Sequence, residues 1–116
     1  MMKKVVLFAF NDEPMCFTHV LLNVLDMNER GYEVKLVMEG EATKLLPGLA
    51  NQGTAFSKMW GKLKDRGLVA GVCKACSTNM GTAESAQEQG LPLLDDMSGH
   101  PSFAGFMEQG YEILVF

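Results

Sequence analysis

Cys73-Lys74-Ala75-Cys76 is the segment of this 116-residue sequence whose residue types and spacing best suit chemistry. It closes the apolar run Leu68-Val69-Ala70-Gly71-Val72, so Cys73 sits where a buried strand runs out and Cys76 falls in a turn toward a helix N-terminus. The thiolate is the reactive form of cysteine, and a neighbouring ammonium and the positive end of a helix both stabilise it. Lys74 supplies the ammonium, and the next acidic residue along the chain is Glu84. The expectation is an electropositive thiol that can exchange or carry sulfur at neutral pH. The competing reading is that cysteine packs as a small hydrophobe, which suits Cys73 at the end of a core-like run.

Three further arrangements compete for the same residues. Cys16 and His19 are spaced like one chelating pair and Cys73 and Cys76 like another, which together would make a Cys3His set for zinc. The first pair falls inside a helix, however, and a domain of this size folds without a metal, so no resident metal or cofactor is expected. A Cys-x-x-Cys between a strand and a helix also matches a dithiol redox pair, although no aromatic residue precedes Cys73. His100, near the start of the last helix, is placed to touch a substrate or to be a solvated residue of the helix entry. Asp95-Asp96 reads as a polar strand exit that can also hold a cation. No glycine-rich dinucleotide or phosphate-binding element is present.

The elements that must position these residues alternate. Apolar runs predict strands near 4–10, 32–38, 68–73, 91–94 and 111–116. Between them, Pro14 opens a helix from Met15 to Arg30 with Phe17, Val20, Leu21, Val24 and Leu25 on one stripe. A short helix is expected over Glu41–Leu46, another over Gln52–Arg66, and a polar one over Thr82–Gln89 with Thr82 as its N-cap. The last is expected from a Ser98 cap through Gln109, with Pro101 in its first turn. Four helix-to-strand junctions share one device, a glycine at positions 31, 67, 90 and 110 directly before an apolar run. Strand–helix alternation implies an α/β fold, a mainly parallel sheet of five strands with helices on both faces, in one domain spanning 1–116. In such a sheet ligands meet the carboxyl ends of the strands. Those ends carry Asn11-Asp12-Glu13, Glu39, the cysteine pair and Asp95-Asp96, and Cys16 lies within a turn of the same edge.

Composition narrows the class. The chain is 47% hydrophobic and 21% charged with a net charge of −4, ordinary for a globular protein and without a basic stripe for nucleic acid or an anionic membrane. Three cysteines, an odd number, do not form a secreted disulfide scaffold, and the first apolar run is too short for a signal peptide core or a membrane span. A cytoplasmic location is expected.

With strands, cysteine loop and ending in place, the chain resembles the DsrE/DsrF-like family of small sulfur-relay proteins. The likeness covers nearly the whole length. It rests on Lys4-Val5-Val6-Leu7-Phe8 opening into Asn11-Asp12-Glu13, on Gly31-Tyr32-Glu33-Val34 and Glu39-Gly40, on Gly71 to Cys76, and on Gly110-Tyr111-Glu112-Ile113-Leu114-Val115-Phe116. The resemblance implies a flavodoxin-like three-layer α/β/α sandwich that assembles into homo-oligomers, often trimers or hexamers. It implies a cysteine in the 73–76 loop that holds a persulfide and passes sulfur between a donor and an acceptor protein. Either Cys73 or Cys76 fits that role, with Lys74, Cys16, Asn11 and His100 as supporting residues. The second cysteine departs from a one-cysteine carrier and raises a dithiol, peroxiredoxin-like alternative. A non-catalytic binding or scaffold protein of the same fold is the rival from another class.

Overall fold

The computed structural model describes residues 2–51 and 53–116. Five strands, β1 (Lys4–Ala9), β2 (Glu33–Met38), β3 (Val69–Cys73), β4 (Leu93–Leu94) and β5 (Glu112–Val115), form one sheet in the order β4-β3-β2-β1-β5. Every pairing is parallel. The helices are α1 (Pro14–Glu29), α2 (Leu46–Leu49), α3 (Ala55–Asp65), α4 (Lys74–Asn79), α5 (Ala83–Glu88) and α6 (Phe103–Glu108), with a 3-10 turn over Gly40–Leu45 before α2. The sheet and its helices form the expected α/β sandwich, flavodoxin-like in its layers.

The uninterrupted apolar runs are strands because both of their faces are covered. Val5, Leu7 and Ala9 of β1 face the larger core, built with Phe17, Val20, Leu21 and Val24 of α1 and with Trp60 and Leu63 of α3. Val6 and Phe8 face a smaller one shared with Val37, Tyr111 and Phe106 of α6. Trp60 is fully buried, and its indole N–H donates to Gln89 Oε1 at 2.8 Å. That bond satisfies the one polar atom of an otherwise apolar payload.

The junction glycines at 31, 67, 90 and 110 all have positive φ, as a left-handed helix stop requires. The helix expected over Gln52–Arg66 is α3, with Thr54 as its N-cap in a capping box with Ser57; Gln52 itself lies outside the described residues. Thr82 holds the N-cap position of α5 but makes no side-chain cap bond. The expected last helix is corrected. Ser102, not Ser98, caps it by accepting from Gly105 N at 3.1 Å, and Pro101 precedes the helix. Ser98 instead has φ 49° and Gly99 φ 91°, so the two form a turn joining Met97 and His100, which exchange backbone hydrogen bonds of 2.7 and 2.9 Å. Positive φ at both central residues is the geometry of a tight hairpin turn.

Gly71 is the close-approach point of the sheet. A Cβ there would lie 2.7 Å from both Leu94 Cγ and Pro92 O, and Pro92 O accepts from Val72 N. Because β4 is only two residues long, it cannot yield without losing its pairing. Gly71→Ala is expected to cost about 1–3 kcal/mol, read as a lower denaturant midpoint with unchanged slope; an unshifted midpoint would mean that β4 is not held in this way.

Candidate functional site

Parallel pairing brings the ends of β2, β3 and β4 to one edge, and four donor groups meet there. Glu39 follows β2, and its N–H donates to Ala9 O at 2.8 Å, extending the ladder by one residue. Cys73 ends β3 and is the N-cap of α4, so its sulfur accepts from Cys76 N at 3.4 Å. Cys76 lies one turn into α4. His100 arrives from the hairpin after β4. Its Nδ1 lies 3.1 Å from the Cys73 sulfur and 3.8 Å from the Cys76 sulfur. Ligand atoms of Glu39, Cys73, Cys76 and His100 all lie within 4.8 Å of one another.

The hairpin is seated on α4 by its turn. Gly99 O accepts from Ala75 N at 2.9 Å and lies 3.8 Å from the Cys73 sulfur. A Cβ on Gly99 would meet Ala75 Cβ at 3.3 Å, and that tight fit, with the positive φ, leaves little room for another residue. Asp95 and Asp96 brace the same loop. Asp95 pairs with Lys74 at 3.6 Å, and Asp96 Oδ1 accepts from Ser102 N at 3.3 Å. The strand exit read as a cation site thus spends its carboxylates on the loop.

Depth separates the two thiols. Cys73 is 0% exposed, whereas Cys76 is half-buried. The expected electropositive thiol is corrected at Cys73. Burial pushes its pKa up to about 12, and the Cys76 thiol and Glu39 add to the rise against the opposing Cys76 N–H. Lys74 does not offset this, because it is drawn to Asp95. Burial likewise raises the Glu39 carboxyl to about 7, against a hydrogen bond with Cys73 that lowers it. A cavity of about 340 Å³ opens beside these groups, lined by Glu39, His100, Phe10, Met97, Pro101 and Phe103. Its walls are mostly apolar, with Glu39, His100 and Ser102 as the polar residues, and neither cysteine lines it.

The remaining expected residues lie elsewhere. Cys16 is exposed in the first turn of α1, where its N–H donates to the Glu13 carboxylate at 2.9 Å. A hydrogen bond between its thiol and Glu13 holds that thiol above its ordinary value, and neither Cys16 nor His19 belongs to the four-donor cluster. Asn11 accepts from Glu13 N at 2.6 Å, shaping the entry to α1. It lines a neighbouring groove with Asp12, Gly40, Glu41 and Phe116, not the cavity beside the thiols. Glu39 was visible in the sequence only as a strand-end acid. The signal that raises it is an acidic residue closing a fully buried apolar strand.

A family model described as the DsrE/DsrF-like family matches residues 4–116. An uncharacterized protein of Archaeoglobus fulgidus is 47% identical over 58 residues, half of this chain and 93% of that one. An uncharacterized protein of Methanocaldococcus jannaschii is 31% identical over 96 residues, 83% of this chain and 76% of that one. A solved structure of a conserved protein of unknown function from Bacteroides thetaiotaomicron superposes with a TM-score of 0.73 at 18% identity, covering 98% of this chain and 95% of that one.

The raised Glu39 pKa has a consequence for stability. The folded carboxyl holds its proton to about pH 7, while the unfolded one releases it near its ordinary value of about 4.3. Between those values the folded state binds more protons, so stability is greatest below the unfolded pKa and falls as pH rises toward 7. The loss is roughly 3 kcal/mol. Chemical denaturation of the chelator-treated protein at pH 4.5 and 7.5 measures it, and Glu39→Gln should flatten the difference. An equal slope in that variant assigns the dependence to other groups.

Proposed function

Because the chain belongs to the DsrE/DsrF-like family, we propose that it carries sulfur as a persulfide on Cys76, with His100 moving the proton and Cys73 as the buried partner thiol. The single observation behind this reading is the His100 imidazole, whose Nδ1 lies 3.1 Å from the Cys73 sulfur and 3.8 Å from the Cys76 sulfur. Cys76 is the more accessible thiol of the pair, and a carrier sulfur must be reached by two molecules in turn.

The cycle needs no external oxidant. His100 Nδ1 accepts the Cys76 proton, and the thiolate attacks the outer sulfur of a donor persulfide. One sulfur–sulfur bond forms on Cys76 as that of the donor breaks, and the donor departs as a thiolate that takes the proton from His100. An acceptor thiolate then attacks the outer sulfur, and Cys76 leaves as thiolate. Leaving improves with a better stabilised thiolate. Cys73 supplies a second outcome. Its thiol gives its proton to His100 Nδ1, 3.1 Å away, and attacks the inner sulfur of the persulfide, which forms a Cys73–Cys76 disulfide and expels hydrosulfide to take up that proton, the dithiol branch of the same site.

Incubation with a polysulfide donor followed by peptide mass spectrometry tests the assignment. One added sulfur atom is expected on Cys76, retained in Cys73→Ala and lost in Cys76→Ala. His100→Gln should slow loading about a hundredfold, the lower range for a positioned proton acceptor. Sulfur found on Cys16, or retained after Cys76→Ala, contradicts the reading. A chain that takes no sulfur and whose thiols resist alkylation is the binding member of the family instead.

A further inference from the structure

Two thiols, an imidazole and a carboxyl gathered at one point are also a ligand set. We propose that Glu39, Cys73, Cys76 and His100 form a tetrahedral site for a borderline-soft divalent cation, zinc being the best fit, and that the cation and a persulfide compete for the Cys76 sulfur. The competition rests on the sulfur-carrier reading above; the binding does not.

Distances carry the first part of the argument. Zinc bonds of about 2.0–2.3 Å to nitrogen, oxygen and sulfur require donor atoms about 3.3–3.8 Å apart. The two sulfur–nitrogen separations, 3.1 and 3.8 Å, bracket that range, and all four donors fall within 4.8 Å of one another. Small side-chain rotations close the rest. This set replaces the Cys16, His19, Cys73 and Cys76 grouping that spacing alone suggested. The second pair is kept, and the first is exchanged for residues from the ends of β2 and the β4 hairpin.

Preorganisation carries the second. Cys73 ends a central strand, Glu39 follows its neighbour, and His100 is locked by a turn that bonds to Ala75 N. Cys76 N already donates to the Cys73 sulfur at 3.4 Å, a bond that a metal-bound thiolate would strengthen. Charge carries the third. Glu39 and Cys73 are buried, and Lys74, next to Cys73 in sequence, is paired with Asp95. A cation would neutralise the charge that these buried donors take on only as ligands. Thiolate and imidazole ligands favour zinc over the hard cations magnesium and calcium. The cavity along Glu39 and His100 is an entry path.

Cobalt(II) is the probe, titrated into the full chain after chelator treatment, with zinc as competitor. One equivalent per chain should produce thiolate charge-transfer bands and the intense visible bands of tetrahedral cobalt, erased by zinc. Cys73→Ser, Cys76→Ser, His100→Ala and Glu39→Gln should each weaken binding or shift the visible bands, by at least about tenfold in affinity for the first three, whereas Cys16→Ala should change neither. Absence of tetrahedral bands, or bands indifferent to any one of the four substitutions, overturns the site. A measurement on the unsubstituted chain guards against variants that fail to fold. One equivalent of zinc should protect Cys73 and Cys76, not Cys16, from alkylation, and equal labelling with and without zinc overturns the proposal. Sulfur loading of the zinc-free chain is scored separately by mass, so that failure of the metal site and failure of the carrier reading leave different records.

Discussion

Parallel pairing of all five strands is the constraint on which the site depends. It puts every strand's carboxyl end on one edge, so residues far apart in sequence arrive together without any local motif linking them. Glu39, Cys73 and His100 come from three different strand ends. Glu39 and Cys73 close neighbouring strands, which run about 4.8 Å apart, and the hairpin after β4 brings His100 alongside them. β3, which carries Cys73, lies between β2 and β4. A cysteine at that place has a residue of the preceding strand on one side and of the following loop on the other.

The arrangement places unlike demands on neighbouring atoms. Burial secures Cys73 in the sheet and raises its pKa, which suppresses its thiolate; the same burial keeps Glu39 protonated near neutrality. A buried acid and a buried thiol without a counter-charge cost stability, and such conflict between local chemistry and folding is found where sites are built. The Ser98-Gly99 turn adds to it, since Ser98 takes a positive φ without being glycine. Its return is the placement of the His100 ring. Asp96 accepts from Ser102 N and Gly99 O accepts from Ala75 N, so the turn that carries the imidazole is tied down on both sides.

Most of the fold was legible in the sequence because it follows from local rules. Uninterrupted runs such as Val5 to Ala9 can only be strands covered on both faces, and a glycine before each of four apolar runs marks where helices stop. The cysteine loop was legible for the same reason: Cys73 ends such a run. What local rules could not supply was pairing across the chain. Cys16 and Cys73 lie on helix and strand ends that look adjacent on paper, yet Cys16 is tied to Glu13 at the surface. Lys74 is next to Cys73 in sequence, but its ammonium meets Asp95, twenty-one positions on. Ser98 has the composition of a cap, and only the packing of Gly99 against Ala75 shows why the chain turns there instead. Ser-Gly before His100 was nonetheless a readable turn signal.

Helix geometry then divides the labour between the thiols. Residues three apart at a helix start share a face, so Cys76 lies near Cys73, yet it is half-buried where Cys73 is fully buried. A persulfide extends its cysteine by one sulfur–sulfur bond of about 2.05 Å. On Cys73 that outer atom would be pressed beneath Gly99 and the His100 ring, where no second molecule could approach. Cys76 is only half-buried, so the same extension there leaves the outer atom open to approach, while the inner sulfur stays within reach of both His100 and Cys73. On the proposed reading, then, the buried thiol is the one that cannot carry but can intercept, and the two cysteines of a symmetrical-looking motif have unequal roles because one belongs to the sheet and the other to the helix.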